Sequence, residues 1–133
     1  MSGFVVRELI KSSNNTPTIY NGLPLNIEFR VFYDFDSHKV LYSCNYWDYN
    51  YCIDYLEPND KIVFEHEYKR INEAFLSLQK IVERKIEDSM KNVELKGQWS
   101  IDIMYTLDEF YLIDMAIARQ SAYWNGGEAN GSK

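Results

Sequence analysis

The sequence is poor in the residue types that carry the commonest site chemistry. It has two cysteines, two histidines, three prolines and six glycines among 133 residues. Seven residues separate Cys44 from Cys52, with no histidine near them, and this spacing matches no zinc-binding pattern. We therefore predict two buried thiols in a reducing compartment. His38 lies in a turn-like stretch and His66 between two glutamates on the outer face of a predicted helix, so both are predicted surface residues.

Long apolar runs and self-contained catalytic motifs are also missing. No apolar run approaches the roughly 18 residues that a membrane-spanning helix needs. The sequence contains no glycine-rich nucleotide loop, no G-x-S-x-G and no H-E-x-x-H. The N-terminus does not read as a secretory signal. We therefore expect a cytoplasmic protein without a membrane partner.

Positive charge is the scarcer sign. Twenty Asp and Glu residues face fourteen Lys and Arg residues, and the formal net charge is −6. An acidic chain is a poor non-specific binder of nucleic acid, because phosphate contact needs a basic surface. Aromatic residues make up 16%, chiefly through eleven tyrosines.

Two hydrophobic periodicities predict the main elements. From residue 25 to residue 35, alternate residues are apolar, which predicts a strand with one face in the core. A turn at residues 36–38 and a strand over residues 39–47 complete a hairpin. Pro58 begins a helix of about eight turns, whose apolar residues recur at steps of three and four. That stripe consists of Phe64, Tyr68, Ile71, Phe75, Leu78, Val82 and Ile86.

The order of elements predicts the fold class. A strand at residues 4–10 (FVVRELI) precedes a loop at 11–22, the hairpin, the long helix and a final pair of strands. This order is typical of an α+β domain whose largely antiparallel sheet is covered on one face by one long helix. We predict one domain over residues 4–124 and a disordered tail over residues 125–133.

The final strand pair carries the strongest functional signal. Residues 99–104 (WSIDIM) and 110–115 (FYLIDM) each place one aspartate, Asp102 and Asp114, in an apolar run, and residues 105–109 join them. A carboxylate on a half-buried strand costs several kcal/mol unless a cation or a hydrogen-bond donor meets it. If the hairpin lies beside this pair, Arg30 joins the two aspartates in one cleft. Arg30 would then bind a phosphate and the aspartates a Mg²⁺, or Arg30 would form a salt-bridge network without a ligand.

Four stretches resemble the C-terminal lobe of an ATP-grasp domain, in particular the short, divergent ATP-grasp proteins of phages and bacteria. They are residues 4–10 (FVVRELI), 27–32 (IEFRVF), 99–104 (WSIDIM) and 111–116 (YLIDMA), in the family's order and with a long helix between the second and the third. The resemblance implies that Glu8 contacts adenine, that Arg30 faces the triphosphate, and that Asp102 and Asp114 hold Mg²⁺. It therefore implies ATP and Mg²⁺ as ligands of a carboxylate–amine ligase type of site.

Two departures from the family bear on activity. The family usually places an asparagine two residues after its last metal-binding acid, where this chain has Ala116. Residues 4–10 resemble the family's hinge strand, and the lobe that precedes that strand in the family, with its phosphate-binding lysine and glycine-rich loop, has no counterpart in this sequence. We therefore expect no autonomous catalysis, and we expect a missing-lobe polypeptide or a homodimer to complete the site.

A different class of function fits the same sequence. A small acidic α+β protein can act without catalysis, as phage inhibitors and nucleic-acid mimics do, by binding a basic protein partner. Its aromatic anchors would be Tyr42, Tyr46, Trp47, Tyr49, Tyr51 and Tyr55. The alternative for these residues is packing around the helix and the sheet edge. A third hypothesis keeps the ATP-grasp-like fold as a scaffold, with the sheet forming a homodimer interface.

Overall fold

The computed structural model describes the backbone of residues 18–19 and 23–126, and the side chains of residues 25–50 and 52–126. The predicted strand at residues 4–10, including Glu8, and residues 127–133 of the predicted tail lie outside these ranges. In chain order the described elements are β1 (Thr18–Ile19), β2 (Leu23–Pro24), β3 (Ile27–Asp34), β4 (Lys39–Asn45), α1 (Tyr49–Cys52), α2 (Pro58–Met90), β5 (Gln98–Thr106) and β6 (Glu109–Ile117). Short 3₁₀ turns occupy Ile53–Tyr55 and Ala118–Gln120.

The main sheet has four strands in the order β4-β3-β5-β6, and every neighbouring pair is antiparallel. Residues 18–19, within the predicted loop, instead pair with β2 as a separate two-stranded ribbon. The α+β class, the antiparallel sheet and the one long helix are thus confirmed. The sheet brings β3 and β5 together although the long helix separates them along the chain.

Helix α2 is the most completely predicted element. Pro58 occupies its first turn, where the missing backbone N–H removes no helical hydrogen bond. Its 33 residues give a length of about 50 Å, and the eight residues of β3 span only about 27 Å. The helix therefore extends past the sheet, and its N-terminal turns pack on Tyr49 through Phe64 and Tyr68.

The core lies between α2 and one face of the sheet. The predicted apolar face of β3, which includes Phe29, Val31 and Tyr33, is buried there with Ile101 and Ile103 of β5. The apolar stripe of α2 covers these strands, and its buried members are Phe64, Ile71, Phe75, Val82, Ile86 and Met90. Every second residue of β3 and β5 faces the other way, so Glu28, Arg30 and Asp102 share the second face.

The structure corrects several boundaries. Strands β5 and β6 run three residues closer together than predicted and meet at a two-residue turn, Leu107-Asp108, in which both residues have positive φ. Strand β4 ends at Asn45, so Trp47 lies beyond it. Asn125, the first residue of the predicted tail, is buried and donates its backbone N–H to the Tyr42 hydroxyl. No helix within the described residues is long and apolar enough to cross a bilayer.

Candidate functional site

Three of the four predicted site residues lie in one row across the sheet. Arg30 of β3 is the register partner of Asp102 on β5, and Asp102 is the register partner of Asp114 on β6. Cys44 extends the row on β4. The sequence prediction that Arg30, Asp102 and Asp114 become neighbours is therefore realised in the register of the sheet. Glu8, the fourth residue, lies outside the described residues.

Arg30 and Asp102 form a two-pronged ion pair. The Arg30 Nε donates to Asp102 Oδ1 at 2.9 Å and Nη2 donates to Oδ2 at 2.8 Å. The two side chains are only 13% and 7% exposed. The hydrogen bonds to Asp102 raise the pKa of Arg30 above its already high value, so the guanidinium stays charged. Both carboxylate oxygens of Asp102 are thus occupied by a cation of the same chain.

Two further groups fix the guanidinium from the sides. The Arg30 Nη1 donates to the backbone oxygen of Ala122 at 3.4 Å, and the guanidinium carbon lies 5.0 Å from the centre of the Tyr46 ring. Stacking of arginine on an aromatic ring is favourable because the ring face is electron-rich. Neither Tyr46 nor Ala122 was assigned to Arg30 from the sequence, and no local pattern could have identified them.

Glu28 is an acidic neighbour whose role sequence reasoning missed. It lies two residues before Arg30 on the same face of β3. Burial and, to a smaller extent, the nearby charge of Asp102 raise the pKa of Glu28 to about 7, against the opposing effects of a hydrogen bond with Trp47 and the charge of Arg30. The only sequence signal was the shared face of Glu28 and Arg30. The cluster thus holds two carboxyl groups, those of Glu28 and Asp102, around the Arg30 guanidinium. Glu28 takes up a proton as the pH falls through about 7.

Asp114 does not have the buried environment expected of it. It lies on the edge strand β6, its side chain is exposed, and no ion pair or hydrogen bond to its carboxylate occurs among the described residues. A bulge in β6 lies directly before it at Ile113, where the register with β5 shifts. An edge strand has no neighbour on one side, so an acidic residue there is readily solvated. The expectation that the Asp114 carboxylate, on a half-buried strand, must be met by a cation or a hydrogen-bond donor is therefore wrong, because water can reach it.

The described side chains do not form a ready cation site. Nowhere in residues 25–50 and 52–126 do three or more His, Cys, Asp or Glu side chains come close enough to hold a metal ion. Asp102 already gives both oxygens to Arg30, and Asp114 is exposed beside it. The sequence left two possible partners for Asp102, a metal ion and Arg30. In the structure the partner is Arg30.

The C-terminal segment, residues 117–126, crosses the second face of the sheet from β6 toward β4. The Ser121 hydroxyl lies 2.6 Å from that of Ser100, and the Tyr42 hydroxyl donates to the backbone oxygen of Tyr123. The Trp124 ring packs 5.1 Å from Phe32 and stacks with Tyr42 at 6.2 Å between ring centres. This segment therefore covers the part of the row that contains Arg30.

Both histidines are exposed, as predicted, and the two cysteines are half-buried where the sequence predicted buried thiols. Cys44 and Cys52 are free thiols, both half-buried, and burial raises the pKa of Cys44 to about 12. Burial also raises the pKa of Cys52. A raised pKa removes the thiolate that nucleophilic chemistry requires. His38 lies exposed in the β3–β4 turn, and the Nδ1 of the exposed His66 ring lies 2.7 Å from Glu67 Oε2.

Most of the predicted aromatic anchors pack inward. Trp47 is buried and donates its indole N–H to the backbone oxygen of Asn26. Tyr42, Tyr46 and Tyr49 are half-buried in ring contacts. The Tyr51 side chain lies outside the described residues. Tyr55 alone of the described candidates is strongly exposed, at 72%.

Charge is unevenly distributed over the described surface. Between β4 and the first turn of α2, residues 48–60 carry Asp48, Asp54, Glu57 and Asp60 and no Lys, Arg or His. We call this stretch, which includes the exposed Tyr55, the acidic segment. The β5–β6 turn adds Asp108 and Glu109 at the same end of the sheet. At the opposite end, Lys39, Lys91, Lys96 and Arg119 offset the acidic residues near them.

Comparisons with protein-family models, with curated proteins and with solved structures gave no significant match. The likeness to an ATP-grasp lobe thus remains an interpretation of the four sequence stretches.

Proposed function

We propose that this chain is a non-catalytic acidic binding protein that docks on a basic surface of a partner protein. The observation that carries the proposal is the acidic segment, whose sequence has four acidic residues and no basic residue and includes the exposed Tyr55. Exposed charges of one sign steer an oppositely charged partner and suppress wrong ones. An exposed tyrosine among them supplies contact area at low cost in side-chain entropy.

The chemistry of the second face supports the same proposal. Arg30 is held by Asp102, Ala122 and Tyr46, so it is not a free cation for a phosphate. Cys44 and Cys52 are protonated thiols, and both histidines are at the surface. None of these groups is arranged as a nucleophile with an adjacent base, which covalent catalysis by a side chain would require.

The experiment compares two variants of equal net charge. The first neutralises the acidic segment by Asp48→Asn, Asp54→Asn, Glu57→Gln and Asp60→Asn. The control neutralises four acidic residues elsewhere, by Glu73→Gln, Asp88→Asn, Glu94→Gln and Asp114→Asn. Each protein is immobilised, exposed to extract of its source cells, washed, and eluted with a salt gradient.

We expect wild-type and control proteins to retain one basic protein in a 1:1 ratio, and the acidic-segment variant to lose it. Release should require salt of about 0.3 M, because the screening length falls below 10 Å above about 0.1 M. Equal retention by the acidic-segment variant would refute the proposal. So would retention of the partner that is independent of salt.

We also propose, as a second candidate, that the chain binds ATP with Mg²⁺ as an ATP-grasp-like lobe. The row of Arg30, Asp102 and Asp114 is the observation that favours it. Nucleotide binding would require Arg30 to exchange the Asp102 carboxylate for a phosphate, which a guanidinium binds in the same two-pronged manner.

Isothermal titration of ATP with Mg²⁺ tests the second candidate. Binding by the wild-type protein that disappears in Asp114→Asn would support it, provided that urea unfolding shows the variant to be as stable as the wild type. Titration without Mg²⁺ is the control for phosphate binding by Arg30 alone. No heat of binding at about 1 mM ATP, or equal affinity in Asp114→Asn, would refute the metal assignment.

A further inference from the structure

A groove follows the outer edge of β4. About 570 Å³ of space lies along residues 40–44, between α2 on one side and the C-terminal segment on the other. Gln79, Lys80 and Glu83 line the helix side, and Asp48, Tyr123 and Asn125 line the opposite side. Its size falls within the range of ligand sites, and its floor is an edge strand.

The backbone of β4 faces this groove with hydrogen-bonding groups that the sheet does not use. The Tyr46 N–H donates to the Glu28 backbone oxygen of β3. In an antiparallel pair every second residue bonds to the same neighbour, so Cys44 and Tyr42 also direct their backbone groups toward β3. Ser43 and Asn45 therefore direct their backbone groups outward. This is the geometry in which an added strand forms its ladder.

Side chains of α2 occupy some of these outward groups. The Val40 N–H donates to Glu87 Oε2 at 3.0 Å, and Gln79 Nε2 donates to the Ser43 backbone oxygen at 3.4 Å. The second distance is at the outer limit for a hydrogen bond, so this contact is weak. Gln79 also donates to the Ser43 hydroxyl at 2.9 Å, which an incoming strand would leave in place. An incoming strand would replace the weak Gln79–Ser43 backbone hydrogen bond with backbone hydrogen bonds to β4, and we expect this exchange to be favourable.

The rim of the groove selects the charge of the occupant. Asp48, Glu83 and Glu87 lie around it, and the one basic residue that lines it among the described residues is Lys80, whose exposed ammonium lies 3.9 Å from Glu83. Glu83 accepts the Ser43 hydroxyl hydrogen bond at 2.6 Å, which holds its carboxylate at the floor. Asp48 also begins the acidic segment, so the groove and that segment form a continuous surface.

We propose that the β4 groove binds an extended, lysine- or arginine-bearing segment of the partner protein, which joins the sheet as a fifth strand beside β4. This inference rests on the proposed function as a binder of a basic protein, and it specifies how part of that partner is held. The bulge between Tyr42 and Val40 limits regular pairing to residues 42–45. A short ladder of this kind supplies register and direction, and the acidic rim supplies charge selectivity.

The test uses a defined probe, a fluorescein-labelled octapeptide of alternating lysine and valine. Fluorescence anisotropy measures its affinity, and amide hydrogen exchange by NMR locates it. A matched peptide with N-methylated valines keeps the charge but loses backbone donors. The rim variant is Asp48→Asn with Glu83→Gln, and the control of equal charge is Glu73→Gln with Glu94→Gln, two exposed residues outside the groove.

We expect the peptide to slow exchange of the Ser43 and Asn45 amides and to leave the β6 amides unchanged. The rim variant should bind three- to tenfold more weakly and the control within twofold, as expected for two partly exposed charge pairs. The N-methylated peptide should bind at least tenfold more weakly.

Four results would overturn the inference. They are no binding at about 1 mM peptide, equal binding of the N-methylated peptide, protection of β6 amides in place of β4 amides, and peptide-independent protection of Ser43 in a concentration-dependent dimer. The last would mean that a second copy occupies the groove. Retention of the cellular partner is measured separately. A protein that retains its partner but does not bind the peptide at β4 would refute the groove inference and leave the proposed function standing.

Discussion

Removing both members of the Arg30–Asp102 pair should cost much less stability than the sum of the losses from removing each member alone. Asp102→Leu leaves the guanidinium 13% exposed without its main counter-charge, and Arg30→Met leaves a carboxylate 7% exposed. Breaking a buried pair from one side typically costs 3–5 kcal/mol. Because Ala122 and Glu28 partly compensate Arg30, we expect about 3 kcal/mol for each single variant.

The double variant Arg30→Met with Asp102→Leu should not lose the sum of these values. Apolar replacement of a buried ion pair is often neutral, so we expect at most about 3 kcal/mol in total, and a coupling energy of about 3 kcal/mol. Urea unfolding at pH 7, followed by tryptophan fluorescence, measures all four proteins. With a slope of about 1.5 kcal/mol/M, each single variant should shift the midpoint by about 2 M.

A matched control is needed because leucine and methionine also change the packing. Asp114→Leu on the exposed edge of β6 changes the same residue type next to the pair and should shift the midpoint little. Single-variant losses below about 1 kcal/mol, or additive losses in the double variant, would show that the pair is not a coupled buried unit and would refute the reasoning.

Three further predictions concern Glu28, the C-terminal segment and helix α2. The folded protein holds the Glu28 proton up to pH about 7 and the unfolded chain only up to about 4.5, so stability falls as pH rises across that interval, by about 3 kcal/mol. Glu28→Gln should abolish this part of the pH dependence in urea titrations from pH 4 to 8, and an unchanged slope would contradict it. Trp124→Ala removes the ring that packs on Phe32, so we expect the free energy of unfolding to fall by about 2 kcal/mol and the amides of the C-terminal segment to exchange faster. Unchanged stability and unchanged exchange would mean that Trp124 does not hold this segment on the sheet. Ile71→Ala in the core should cost about 3 kcal/mol, but Ile62→Ala, 70% exposed on the same helix, under about 0.5 kcal/mol; equal losses would contradict the assigned faces of α2.

Local periodicity explains why so much of the fold followed from the sequence. The three- and four-residue steps from Phe64 to Ile86 require one helix face to be buried, whatever the partner. Alternation from residue 25 to residue 35 likewise determines which side chains of β3 meet a core. These patterns act between residues close in sequence, so tertiary structure did not need to be known.

The candidate site depended on contacts that no local pattern encodes. Arg30 meets Asp102 across 72 residues because β3 pairs with β5 in one register, and a shift of one residue would place Asp102 on the opposite face. The edge position of β6 exposed Asp114, although its apolar flanks had predicted burial. The return of residues 117–126 over the sheet brought Ala122 to Arg30 and Trp124 to Phe32.

The sequence by itself determined the α+β class, the buried faces of β3 and α2, and the presence of two aspartates in apolar strands. Only the tertiary structure decided that Asp102 meets an arginine of its own chain, that Asp114 faces solvent, and that β4 borders a groove. The physical reason is that periodic burial is a property of each segment, but the partner of a charged side chain is set by strand order, register and the path of distant segments.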